Sequence, residues 1–148
     1  MSALAEALVA AQAELPCTLG KDADGQIQSR TYRYLTLDKL IAETRPILQR
    51  HGLTIAQWPC VIMRSVKGTE SDHPAQPYAP GLMTALSHVG GETWKMTMPL
   101  YVPDKTMQGL GAAITYARRY AWQSVLGIAA EEDTDAPAVP RGDSDVPF

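Results

Sequence analysis

Between Thr106 and Gly127 the residues Met107, Leu110, Ile114, Ala117, Ala121 and Val125 recur at intervals of three and four. Only a helix turns that spacing into a single apolar face, here about five turns long. Such a face must be covered, and the segments before it read as the cover. Residues 82–89 and 92–98 are short strand-like runs separated by Gly90-Gly91, a pattern that favours a β-hairpin. Residues 53–58 and 60–66 also read as β-structure, interrupted by Pro59. From Lys67 to Gly81 the chain turns to proline, glycine, serine and acids, the composition of a long exposed loop.

Upstream, residues 2–14 are rich in alanine, with Leu4, Leu8, Ala11 and Leu15 at helical spacing and Pro16 as the stop. Residues 18–30 read as a polar loop. Within it Asp22-x-Asp24-Gly25 is a turn rather than a calcium loop, because the third acid and closing glutamate are missing. A second helix starts at Thr36, an N-cap type, with Asp38 in its first turn. Leu37, Leu40, Ile41, Thr44 and Leu48 line one side, Gly52 supplies the stop, and Pro46 must kink or divide the helix. The order predicts an α+β fold: N-terminal helices, then a small antiparallel sheet whose hairpin packs on a long C-terminal helix.

The net charge of -3 hides an asymmetry. Residues 131–148 hold six of the 16 acids and one of the 13 bases, which leaves ten acids and twelve bases, a net of +2, in residues 1–130. A mildly basic body with an acidic tail is common among nucleic-acid proteins. We therefore expect one functional domain over residues 1–130 and a disordered interaction tail over 131–148. Cys17 and Cys60 have no metal-ligand spacing around them and read as reduced thiols. No apolar run approaches a membrane span, and the N-terminus lacks the basic flank of a signal peptide, so a cytoplasmic protein is expected.

Chemistry-bearing patterns are few. Thr115-Tyr116-Ala117-Arg118-Arg119-Tyr120 lies in the long helix, with Thr115, Arg118 and Trp122 on one flank and Tyr116, Arg119 and Gln123 on another. Guanidinium groups contact phosphates and aromatic rings stack on unpaired bases. On residue types alone, a surface helix with packed aromatics and paired arginines suits them better. Arg30 and Tyr32-Arg33-Tyr34 pose the same choice, and in the hairpin Trp94 reads as packing while Lys95 reads as a solvated phosphate contact. No Walker sequence is present, Gly109-Leu-Gly111 lacks the strand and turn of a dinucleotide loop, and His51, His73 and His88 are scattered. A nuclease site built from Glu131, Glu132, Asp133 and Asp135 would sit at the edge of a proline-rich tail, a poor support for two metals. No catalytic residue, metal or cofactor is expected.

Several stretches together resemble the Erf family of phage single-strand annealing proteins. They are Tyr32-Arg-Tyr-Leu-Thr-Leu-Asp-Lys-Leu-Ile41, Leu48-Gln-Arg-His-Gly-Leu53, Leu86-Ser-His-Val-Gly-Gly-Glu92, and above all Gln108-Gly-Leu-Gly-Ala-Ala-Ile-Thr-Tyr-Ala-Arg-Arg-Tyr120, with Leu126-Gly-Ile128 and Glu132-Asp-Thr-Asp135 following. The resemblance implies ATP-independent binding and annealing of single-stranded DNA in recombination, by rings or filaments of copies that hold single strands and annealed duplex intermediates. It places DNA binding on the helix and hairpin. Arg118, Arg119 and Lys95 become the leading phosphate contacts, and Tyr116 and Tyr120 stack on bases or pack in the core. Thr115, Lys105, Gln108, Arg33 and Tyr32 complete the candidate surface. The alternative is a passive single-strand-binding protein that recruits repair enzymes. The last residues favour that thought, because Asp143-Ser-Asp145-Val146-Pro147-Phe148 resembles the acidic tip of bacterial single-stranded DNA-binding proteins, which docks host repair enzymes.

Overall fold

The computed structural model describes residues 2–27, 30–63, 78–103 and 106–130, with the side chains of Ile27, Arg30 and Tyr32 left aside. The fold is α+β. Helix α1 (Ala3–Glu14) is capped by Ser2, whose side chain accepts from the Ala5 N–H. The Glu92 carboxylate accepts the Leu4 N–H at 2.6 Å, so an acid from a distant turn meets the positive end of the helix. Short strand β1 (Thr18–Leu19) follows, then strands β2 (Ala23–Ile27) and β3 (Arg30–Tyr34), paired antiparallel. The segment read as a polar loop is therefore largely strand, with Asp24 and Gly25 opposite Arg33 and Tyr32. Asp22 is no turn residue either. Its carboxylate accepts both the N–H and the hydroxyl of Thr36, at 2.8 and 2.6 Å, and so fixes the residue that caps the next helix.

Helix α2 (Leu37–Arg50) buries Leu40, Thr44 and Leu48 as one stripe. Pro46 lies inside it without dividing it, although a missing N–H there leaves one carbonyl of the preceding turn without its helical donor. Gly52 turns the chain at φ 67 into β4 (Leu53–Met63), which pairs antiparallel with β5 (Tyr78–His88), and β5 with β6 (Thr93–Pro99). β4 runs unbroken through Pro59, against expectation. It is an edge strand, where a proline is tolerated with its ring turned away from the partner. The expected hairpin is present between β5 and β6. Because β6 reaches only as far as Gly81, the ends of β4 and β5 extend beyond it as a two-stranded ribbon carrying Val61, Met63 and Tyr78, all exposed.

Helix α3 (Met107–Leu126) starts at Thr106, whose hydroxyl accepts the Gly109 N–H, and ends at Gly127 with φ 70. Strand β7 (Ala129–Ala130) then pairs parallel with β1. The helices cover one face of the three-stranded sheet. On that face Leu53, Ile55 and Leu86 join Leu4, Leu40, Leu48, Trp122 and Leu126 in the larger core, and Leu82 packs with Ala117 and Ala121 in a smaller one. The opposite face exposes Thr54, Ala56, Trp58, Lys95 and Thr97. Two details correct the apolar reading of α3 and the hairpin. Met107 is 82% exposed, because it precedes the part of the helix that lies on the sheet, and Trp94 is 51% exposed at the free β6 edge rather than packed. Among the described residues, no helix is long and apolar enough to cross a membrane.

Candidate nucleic-acid interface

The Thr115–Tyr120 segment is helical throughout, and one residue step turns the helix by about 100°. Arg118 and Arg119 therefore leave α3 in different directions and do not form a paired phosphate clamp. Arg118 runs on the β4 side. Its carbonyl accepts the Gln57 side-chain amide at 3.0 Å, and that amide also reaches the Thr84 hydroxyl at 3.2 Å. The Arg118 Nε and the Gln57 Oε1 are both buried there, and among the described residues neither has a hydrogen-bond partner. Trp122, one turn on, is buried, and its indole N–H donates to the Thr44 hydroxyl at 2.9 Å, which in turn donates to the Leu40 carbonyl.

Arg119 takes the other flank and is only 8% exposed. Its guanidinium carbon lies 4.7 Å from the ring centre of Tyr116, 5.0 Å from Tyr34 and 5.2 Å from Tyr120. It donates to the Leu35 carbonyl at 3.3 Å. Among the described residues no carboxylate comes within ion-pair distance of it, so its charge is met by π faces and one carbonyl rather than by an acid. The cluster thus retains positive potential and holds Tyr116 and Tyr120, 44% and 40% exposed, with ring centres 5.9 Å apart. This arrangement can do two things together: offer ring faces to planar ligands and attract anions.

A cleft of about 370 Å³ opens beside the cluster, between Lys21, Tyr34, Arg119, Tyr120, Gln123 and the chain from Gly127 to Ala130. Sequence reading placed Gln123 with Tyr116 and Arg119 but gave Lys21 no role. It had no means of bringing Tyr34 to this flank, because the β2–β3 pairing that delivers it has no apolar periodicity.

The remaining candidates are dispersed. Lys95 is exposed on the open sheet face, opposite Ala85. Arg33 is engaged across the hairpin, with Asp24 at 3.6 Å and the Lys21 carbonyl at 2.8 Å. Thr115 is exposed with its hydroxyl donating to the Gly111 carbonyl, and Gln108 is exposed in the first turn of α3. Tyr32 sits in β3 with its side chain outside the described residues, as are Lys105, Glu131, Glu132, Asp133 and Asp135, and the tail residues Asp143, Asp145, Val146, Pro147 and Phe148. Among the described residues no cluster of histidine, cysteine or carboxylate side chains has the geometry to hold a metal ion.

A family model described as the ERF superfamily matches residues 4–143. The chain belongs to this family. The matched span takes in α1, the sheet, the aromatic and arginine cluster of α3 and most of the acidic tail, so membership in the ERF superfamily covers the site as well as the fold. Neither the curated proteins nor the solved structures contain a match to this ERF superfamily chain.

Proposed function

We propose that this protein binds single-stranded DNA and promotes annealing of complementary strands without ATP, as part of homologous recombination. Membership in the ERF superfamily supports a role with single strands in recombination. The observation that carries the rest is the pair of half-exposed tyrosine rings on α3, held over the enclosed Arg119 guanidinium. Ring faces stack on unpaired bases of any sequence, while a duplex offers no free base face. Phosphate contacts belong to the cations that remain accessible, with Lys95 and the partly buried Arg118 foremost, and Arg119 acts by positioning the rings. Annealing needs no bond to be made or broken. Neutralised phosphates lower the repulsion between strands, and base pairing supplies the driving force.

Two labelled complementary oligonucleotides, mixed at low salt without nucleotide, test this reading. Wild type is expected to accelerate their pairing, and a Tyr116→Ala/Tyr120→Ala variant to bind single strands at least about thirty-fold more weakly, at ~1–3 kcal/mol for each of two stacked bases. Binding without acceleration would instead indicate a passive coating protein. Absence of binding at low salt would remove the proposal altogether.

A further inference from the structure

The cleft beside Arg119 has a chemistry of its own. One wall is aromatic, from Tyr34 and Tyr120, and the Lys21 and Arg119 side chains make one region cationic. Gln123 brings an amide, with a donor and an acceptor side by side, and Ser124 a hydroxyl that already donates to the Tyr120 carbonyl at 2.7 Å and keeps its lone pairs for another donor. Leu35 and Ile128 add apolar wall, while Gly127, Ala129 and Ala130 bring little side-chain volume, which keeps the space open. At about 370 Å³ the cleft lies near the lower end of small-molecule sites, roughly 300–1,000 Å³, and so admits one ligand of modest size.

We propose that this cleft is a pocket for a single unstacked nucleotide. Its base lies against Tyr120, the base edge meets the Gln123 amide, and its phosphate meets Lys21, with the enclosed Arg119 guanidinium adding positive potential behind it. The inference rests on the single-strand reading above and deepens it. Tyr116 does not line the cleft, so the two tyrosines would serve different bases: Tyr116 a base stacked outside, Tyr120 a base drawn in. A pocket of this kind fixes where along the strand each protein sits without fixing the sequence, because an amide can pair with the edge of any base. A duplex base pair is too wide and its edges are occupied, so the pocket would release its base as the complement arrives.

The test uses the full chain and three probes: deoxythymidine monophosphate, deoxyribose 5-phosphate without a base, and inorganic phosphate. Binding is followed by NMR at the Gln123 side-chain amide and the Tyr120 ring. The expected result is saturable shifts of both signals with the nucleotide, at concentrations at least tenfold lower than with the base-free sugar phosphate. Ser124→Trp, which fills the exposed rim, and Gln123→Glu, which adds a negative charge at nearly constant volume, should each weaken nucleotide binding at least tenfold. Equal binding of nucleotide and sugar phosphate would overturn the pocket and leave only an anion site, as would nucleotide shifts at Tyr116 that leave Gln123 unmoved. The outcome separates cleanly from the broader function. Wild type that anneals oligonucleotides but takes no nucleotide in the cleft loses the pocket alone. Wild type that takes the nucleotide but neither binds nor anneals strands loses the annealing function and keeps the pocket.

Discussion

Trp122 and Arg119 lie three residues apart on α3 and meet the rest of the protein in opposite ways. Trp122 is locked by one hydrogen bond to Thr44, itself fully buried and bonded to Leu40. Trp122→Phe removes the indole donor and part of the ring volume, and is expected to cost roughly 2 kcal/mol. A urea titration checks this through a lower midpoint at unchanged slope. Arg119 is held instead by three ring faces and one carbonyl. Arg119→Lys keeps the charge but replaces a flat cation, which stacks on several rings together, by a compact one that does not. The expected loss is about 1–2 kcal/mol of stability, with single-strand affinity falling as well because Tyr116 and Tyr120 lose their support. If affinity were unchanged while stability fell, the rings would not need the cage to bind.

Among the elements, α3 depends most on its end. Gly127 stands at φ 70, and a Cβ there would meet nothing closer than the Gln12 amide at 3.5 Å. Gly127→Ala therefore costs backbone strain alone, about 1–2 kcal/mol, read as a lower thermal midpoint with no change in the core. This helix, its caps at Thr106 and Gly127 and the β5–β6 hairpin were legible because periodicity and turn residues agreed. The β2–β3 hairpin was not legible. Asp22 to Gln26 has no alternating apolar residue, and Asp22 earns its place through Thr36, a contact across 14 positions. Pro59 and Pro46 misled for a shared reason: each is read locally as a breaker, whereas an edge strand and a packed helix tolerate it through tertiary support. In the candidate site, helical spacing alone put Tyr116, Arg119 and Gln123 on one flank. It could not show that Arg119 is enclosed, since the strand end that closes over it, at Tyr34 and Leu35, lies 84 positions away.

For the whole molecule, two carboxylates tie separate parts together and set its response to acid. Glu14, at the end of α1, accepts from Arg50 at 2.6 Å and lies 2.7 Å from the His51 ring, both at the end of α2. Its bond to Arg50, then that to His51, hold its pKa below the ordinary value of 4.5. Partial burial pushes Asp22 upward, but the two bonds from Thr36 and the nearby Lys39 outweigh it, and its pKa also lies below the ordinary 3.8. In both cases the folded chain binds the proton less readily than the unfolded chain. The stability they add is complete above the unfolded values and is lost as pH falls through the folded ones. Unfolding midpoints should therefore fall as pH drops below about 4.5, and the slope should flatten in Glu14→Gln and in Asp22→Asn. An unchanged slope in both variants would assign acid sensitivity to other groups.

The parallel pairing of β1 with β7 joins Thr18 to Ala129 and Leu19 to Ala130. That ladder sets an order in time. During synthesis α1 and β1 emerge before the strand that completes β1 and before the Leu126 and Ile128 side chains, which join the core that holds Leu4 and Leu15. Helix α1 can pack on α2, β4 and β5 beforehand, but β1 stays without its ladder until residue 130 has left the ribosome. A nascent chain stalled before Gly127 would leave β1 unpaired, and one released after Ala130 would not.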